Sequence, residues 1–156
     1  MKELISALEE GSDVDYLLDT CFVLFMIERG HTHKLESFCE NNKVGMSSFN
    51  LAEIDHVHRG LKGTVNHHLR DFLKKRLIVN VLVDVRPGER EREKEYVSDF
   101  DEDFLRLVRD PSDAVLLVQA LRLHATVLTR DKHHIFTAVA ENYVGQYGIS
   151  VLNDFP

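Results

Sequence analysis

Short apolar runs alternate with amphipathic stretches along the chain, and the alternation predicts strands followed by helices. Tyr16-Leu17-Leu18 is apolar throughout and ends on Asp19, the profile of a short buried strand. Residues 20–28 resume at helical spacing and close on Gly30, and residues 33–41 form another helix. Val44-Gly45-Met46 is a second short strand. Ser47-Ser48 then offers an N-cap to a helix carrying Leu51, Ile54, Val57 and Leu61 at spacings of three and four. A helix over residues 65–76 leads into the longest apolar strand pattern, residues 77–83.

Pro87-Gly88 turns the chain. The mixed charges of residues 89–95 at helical spacing predict a solvated helix face. Asp110-Pro111 starts a helix through Val115, Leu116, Val118 and Leu121, followed by a fourth strand over residues 125–129. A last helix over residues 135–143 and a fifth strand over residues 149–152 end the pattern. Residues 3–10 have helical character before Gly11-Ser12-Asp13 breaks the chain, so residues 1–13 form a helical extension. Strands that are apolar throughout are expected where helices cover both faces of a parallel sheet. The fold class is therefore α/β, a three-layer sandwich around a central parallel five-stranded sheet.

Composition keeps this picture and narrows the chemistry. The chain has 156 residues, 44% hydrophobic and 29% charged, which fits one domain over residues 1–156 with a substantial core. Cys21 and Cys39 lie in apolar helical patterns without a CxxC spacing, and read as reduced core thiols. With no secretory signal, they point to a cytoplasmic protein. The longest apolar stretch, residues 21–27, is too short to span a membrane. A net charge of −7 argues against nucleic-acid binding through the overall field, but not against an acidic site that meets phosphates through a bound metal.

Ligands of parallel sheets bind beyond the carboxyl ends of the strands. Asp19 follows the first strand and Asp131 the fourth. Glu53 lies in the first turns of the helix after the second strand, and Asp113 in the first turn of the helix entering the fourth. Taken alone, Asp113 is a dipole-favoured acid behind an Asp110 cap, Asp131 a loop acid and Glu53 a solvent-facing helix residue. Together, four acids from distant segments fall at one sheet edge. Carboxylates that close repel one another, and a hard cation such as Mg²⁺ or Mn²⁺ relieves the repulsion while supporting phosphodiester hydrolysis.

Three segments make the pattern specific: Leu17-Leu18-Asp19-Thr20, then Ser47-Ser48-Phe49-Asn50-Leu51-Ala52-Glu53-Ile54, then the stretch from Asp113 to Leu121 that continues into Val127-Leu128-Thr129-Arg130-Asp131. They resemble the motifs of PIN-domain ribonucleases of the VapC-like kind, over residues 16–152. The resemblance implies a single PIN-like domain with strand order 3-2-1-4-5 and Mg²⁺- or Mn²⁺-dependent cleavage of single-stranded RNA. It also implies a homodimer in many members, and an antitoxin protein partner in toxin-type ones. By motif match, Asp19, Glu53, Asp113 and Asp131 are the catalytic, metal-binding acids, and Thr20 and Thr129 are hydroxyls that support them or contact phosphate. Cys21 stands where many members carry Asn or Ser, and the segment before Tyr16 is longer than in the smallest toxin-type members.

The nine histidines include no zinc-finger spacing and no HExxH. His133 and His134, with Arg130 and Lys132, form a partly basic rim that could touch RNA phosphates or be a solvated loop. Two other functions fit less well: a degenerate PIN scaffold that binds RNA or protein without cutting, and a receiver-like Mg²⁺-binding phosphoacceptor. The second wants an acidic pair after the first strand and a Lys after the last, and neither is clear. A structure-selective DNA nuclease of related fold would want a longer chain.

Overall fold

The computed structural model describes residues 1–131 and 138–156. In chain order, α1 (Lys2–Ser6) precedes β1 (Tyr16–Leu18), α2 (Thr20–Glu28), α3 (Thr32–Asn41), β2 (Val44–Ser47) and α4 (Ser48–Val57). A 3-10 turn, His58–Gly60, leads to α5 (Gly63–Lys74), β3 (Val79–Val81), α6 (Arg90–Ser98) and α7 (Phe104–Leu107). Then come α8 (Pro111–Leu123), β4 (Thr126–Leu128), α9 (Ala138–Gly145) and β5 (Val151–Leu152).

All strand pairs are parallel, in the order β3-β2-β1-β4-β5. Successive strand residues face opposite sides of a sheet, and the core divides accordingly. Leu17 and Val127 pack with α6, α7 and α8 on one face, whereas Leu18 and Leu128 pack with α2, α3 and α5 on the other. Residues Ala114 to Leu121 of α8 are all buried, as a helix enclosed between the sheet and its neighbours must be. Gly45 lets β2 and β3 close on each other. A Cβ there would stand 2.9 Å from Val81 Cγ2 and 3.0 Å from Val14 Cγ1. Among the described residues no helix is long and apolar enough to cross a membrane.

Several local expectations change. The N-terminal helix ends at Ser6, and Glu10 instead makes a parallel bridge to Asn80, so the segment before β1 also covers the β3 edge. The strand expected over residues 77–83 pairs only at Val79–Val81, because its partner β2 turns into α4 after Ser47. Leu82 is then 62% exposed, and Ser48 Oγ takes the Val83 N–H at 2.8 Å. Helix α4 stops at Val57, before Leu61. The charged run does form a helix, but its face is not wholly solvated. Glu93 is completely buried, accepts from Gly88 N at 2.8 Å and Ser112 Oγ at 3.3 Å, and lies 3.6 Å from Arg90. The four-residue α7 is too short to leave a periodic signal.

Candidate active site

Register brings the first two groups together. Leu18 of β1 pairs with Leu128 of β4, so the next residues, Asp19 and Thr129, emerge side by side at the carboxyl edge. Asp19 occupies the N-cap position of α2, yet its side chain makes no capping hydrogen bond. The carboxylate is held by other donors: Thr129 Oγ1 and Cys21 Sγ to Oδ2 at 2.6 and 2.8 Å, and Asn50 Nδ2 to Oδ1 at 3.2 Å. Backbone donors from the loop after β4 join them, with Arg130 N–H on Cys21 Sγ at 3.2 Å and Asp131 N–H on Thr129 Oγ1 at 3.0 Å.

Helix α4 supplies the next pair. Ser47 caps it, accepting from Asn50 N–H at 2.9 Å and donating to Asn50 Oδ1 at 2.5 Å. That reciprocal cap turns the Asn50 amide toward the acids. Its Nδ2 lies 3.1 Å from Glu53 Oε2 and 3.3 Å from Thr20 Oγ1, besides Asp19. Thr20 Oγ1 in turn donates to Glu53 Oε2 at 2.8 Å. Asn50 thus links two carboxylates from different elements.

The start of α8 resolves the two roles open to its acids. Asp110 is the N-cap and accepts from Ser112 N–H at 2.9 Å. Asp113, one turn on, lies with Asp19, Glu53 and Asp131 in the lining of one pocket of about 1140 Å³. The geometry therefore brings all four predicted acids to one place.

Burial and crowding show in their protonation. Asp19 is raised above the usual carboxylate range by burial, against the lowering effect of its Cys21 and Thr129 hydrogen bonds. Burial likewise raises Glu53. Asp113 is pushed up to about 8 by burial first, then by the charges of Asp131, Asp110 and Asp19. Loss of hydration and like charge both disfavour the ionised form.

Cys21 is a correction. It is not a core thiol but a half-buried one lining the pocket, and burial and the Asp19 charge push it up to about 12. It therefore stays a neutral donor to Asp19. Cys39 is buried as expected. Arg130, expected on a partly basic rim, lies in the loop after β4 beside Cys21. Its guanidinium sits 3.7 Å from the centre of the Phe25 ring and donates to Asn153 O at 2.8 Å. Lys132, His133 and His134 lie outside the described residues. Asn50 was missed by sequence reasoning, although Ser47 followed by Asn50 in the first turn is a capping signature that could have drawn attention to it.

The donor set is oxygen only, from carboxylates on four separate segments, and suits a hard divalent cation. Among the described residues no group of three His, Cys, Asp or Glu side chains is arranged to hold an ion as they stand, so the fit rests on the chemistry of the donors and on the mutual repulsion a cation would remove.

No curated protein matches the sequence. Among solved structures, a chain in the crystal structure of VapBC2 from Rickettsia felis bound to a DNA fragment from their promoter is similar in fold. The TM-score is 0.55, at 20% identity over 74% of this chain and 87% of that one. The family model described as PIN domain matches residues 16–142. That match sets aside the receiver-like alternative and runs from the first residue of β1 into α9, through every element that carries one of the four acids. The chain belongs to the PIN domain family, a family of nuclease type.

Proposed function

We propose that this chain is an endoribonuclease that hydrolyses single-stranded RNA with Mg²⁺ or Mn²⁺ held by Asp19, Glu53, Asp113 and Asp131. The observation that carries the reading is the pocket that collects these acids while every described hydrogen-bond partner of Asp19 and Glu53 is neutral. Such a cluster opposes its own ionisation until a cation joins it. When bound, the ion would lower the pKa of a water ligand and offset charge developing on the phosphate. The chain's own residues prepare for this. Thr129 and Cys21 fix Oδ2 of Asp19, Thr20 fixes Oε2 of Glu53, and Asn50 sets the distance between the two. Holding the donors in place before the ion arrives reduces the reorganisation needed on binding.

A homodimer, and a silencing protein partner of antitoxin type, belong to the same reading. The fold likeness to a chain of the VapBC2 assembly supports the protein partner, and the homodimer rests on the family resemblance alone.

The test is cleavage of a mixed-sequence single-stranded RNA in Mg²⁺, in Mn²⁺ and in EDTA, with Asp19→Asn alongside. The expected result is cleavage that needs the ion and is lost in the variant. Equal cleavage by Asp19→Asn, or no cleavage under any ion, overturns the reading. RNA binding without cleavage would leave a non-cutting PIN scaffold.

A further inference from the structure

We propose that Lys2, Arg59 and Arg86 form a cationic arm of the same pocket that holds RNA phosphates flanking the cleavage position. The inference rests on the reading of the acidic end as the place of cleavage, and adds which residues grip the chain beside it.

The pocket does not end at the carboxylates. Its lining continues along α4 from Glu53 through His56 and Val57 to Arg59 in the 3-10 turn, and meets Arg86 from the β3–α6 connection and Lys2 from α1. At about 1.5 Å of rise per residue in α4 and about 2 Å in the 3-10 turn, Arg59 lies on the order of 10 Å along the path from Glu53. The volume of about 1140 Å³ exceeds the upper range of roughly 1,000 Å³ for small-molecule sites. A stretch of polymer fits such a trough better than a single nucleotide.

Charge points the same way. The chain carries a net −7 and the catalytic end is acidic, so a polyanion gains nothing from the overall field and needs local cations. Three line the trough, and Asp55 is the lining acid nearest Arg59 in sequence. Among the described residues, none of the three has a carboxylate within ion-pairing distance. The arginines just beyond Arg86 differ. Arg90 pairs with Glu93 and Asp110, and Arg92 with Asp84 and Glu89. Those two brace the fold, whereas Arg59 and Arg86 keep their guanidinium forks available for a phosphate. Arg130, tied to Phe25 and Asn153, does not line the trough.

Lys2 gives the segment before β1 a part in the site. It stands outside the matched residues 16–142. Packing of α1 against α5 and the Glu10–Asn80 bridge hold that segment against the β3 side of the sheet.

The experiment measures binding of a short fluorescein-labelled, mixed-sequence single-stranded RNA to the full chain by anisotropy, in EDTA, over a series of KCl concentrations. Each single-strand phosphate contact contributes about −0.7 to the slope of log K against log salt. Arg59→Gln, Arg86→Gln and Lys2→Gln are each expected to weaken binding and to flatten the slope by about 0.7. All three residues are exposed, so the substitutions leave the fold intact. Arg70→Gln, on an exposed position of α5 away from the pocket, should leave the slope unchanged. With Mg²⁺ or Mn²⁺, the arm variants should raise KM severalfold while kcat holds, whereas Asp19→Asn removes kcat. If wild type cleaves RNA and the three arm variants keep its slope and KM, the arm is overturned and the ribonuclease reading stands. If the variants flatten the slope but no ion promotes cleavage, the arm stands and the cleavage reading falls. No RNA binding by wild type, or equal flattening by Arg70→Gln, also overturns the arm.

Discussion

Thr129 Oγ1 lies 2.6 Å from Asp19 Oδ2, a hydrogen bond between residues 110 apart in sequence. It exists because β1 and β4 pair in parallel and end level, at Leu18 and Leu128. Both groups are buried, so the bond is a charge-assisted contact shielded from water and stronger than an ordinary surface one. The hydroxyl also accepts the Asp131 N–H at 3.0 Å, and so joins the loop after β4 to the carboxylate after β1.

Thr129→Val removes that donor and leaves a buried carboxylate short of one partner. The expected loss is about 1–3 kcal/mol in unfolding free energy, read from the urea midpoint. Cleavage should drop roughly 10- to 100-fold, the usual effect of losing a group that orients a metal ligand. Thr129→Ser should recover both. Wild-type behaviour in Thr129→Val would show that Cys21 and Asn50 hold Asp19 without it.

Asp113 makes stability depend on pH in a sense opposite to a salt-bridged acid. Its carboxyl is raised from an ordinary 3.8 to about 8 in the fold. Between those values the folded state holds a proton that the unfolded chain has lost, so the metal-free protein is destabilised as pH rises from about 4 through 8. A tenfold change in an acid's dissociation constant corresponds to about 1.4 kcal/mol. Asp113→Asn should therefore be more stable than wild type by at least about 1 kcal/mol near pH 8 in EDTA, with little difference below about pH 4. Parallel urea midpoints across this range would reject the crowded site.

Asp19 and Asp131 were legible as site residues because apolar strands imply a parallel sheet, and a parallel sheet fixes which end of each strand bears ligands. Glu53 and Asp113 followed from helix starts at the same edge. The order of the strands was not contained in the hydrophobic pattern and came through the family resemblance. Asn50 was missed because an Asn in a first helical turn is by itself a capping residue. Its link between Asp19 and Glu53 exists only once α2 and α4 have packed. Cys21 was misread because a thiol counts as apolar in any periodicity, whereas its partners Asp19 and Thr129 meet it only at the sheet edge. Glu93 was misread because a charge run looks the same whether or not one member turns inward to Gly88 and Ser112.

Glu93→Ala takes the acceptor away from Gly88 N–H and Ser112 Oγ and leaves Arg90 with Asp110 alone. Leaving Gly88 N–H and Ser112 Oγ without their acceptor costs about 1–3 kcal/mol, since Arg90 is exposed and keeps Asp110. This network joins α6 to the first turn of α8, where Asp113 sits. A urea midpoint should fall accordingly, with Glu93→Gln between the two because its amide keeps one acceptor. A change of less than about 1 kcal/mol in Glu93→Ala would place the residue among ordinary surface acids.

Asp131→Asn separates a structural from a catalytic role by sign. If Asp131 served only to shape the loop after β4, the amide would keep its backbone N–H on Thr129 Oγ1 and leave stability nearly unchanged. In the pocket, however, its charge is among the causes that raise Asp113 and Asp19. Neutralising it lowers both carboxyls toward their ordinary range and relieves like-charge repulsion. The metal-free fold should gain about 1 kcal/mol at neutral pH, the free-energy equivalent of a roughly tenfold change in acid dissociation. The same substitution takes away an oxygen donor, so the rise in Tm on adding excess Mg²⁺ or Mn²⁺, which reports binding to the folded state alone, should shrink. RNA cleavage should fall by orders of magnitude. Unfolding in EDTA and in excess ion, with cleavage measured on the same preparations, gives the three readouts together. A variant that loses stability in EDTA, keeps the full Tm response to the ion and still cuts RNA would remove Asp131 from the site and leave three acids to carry it.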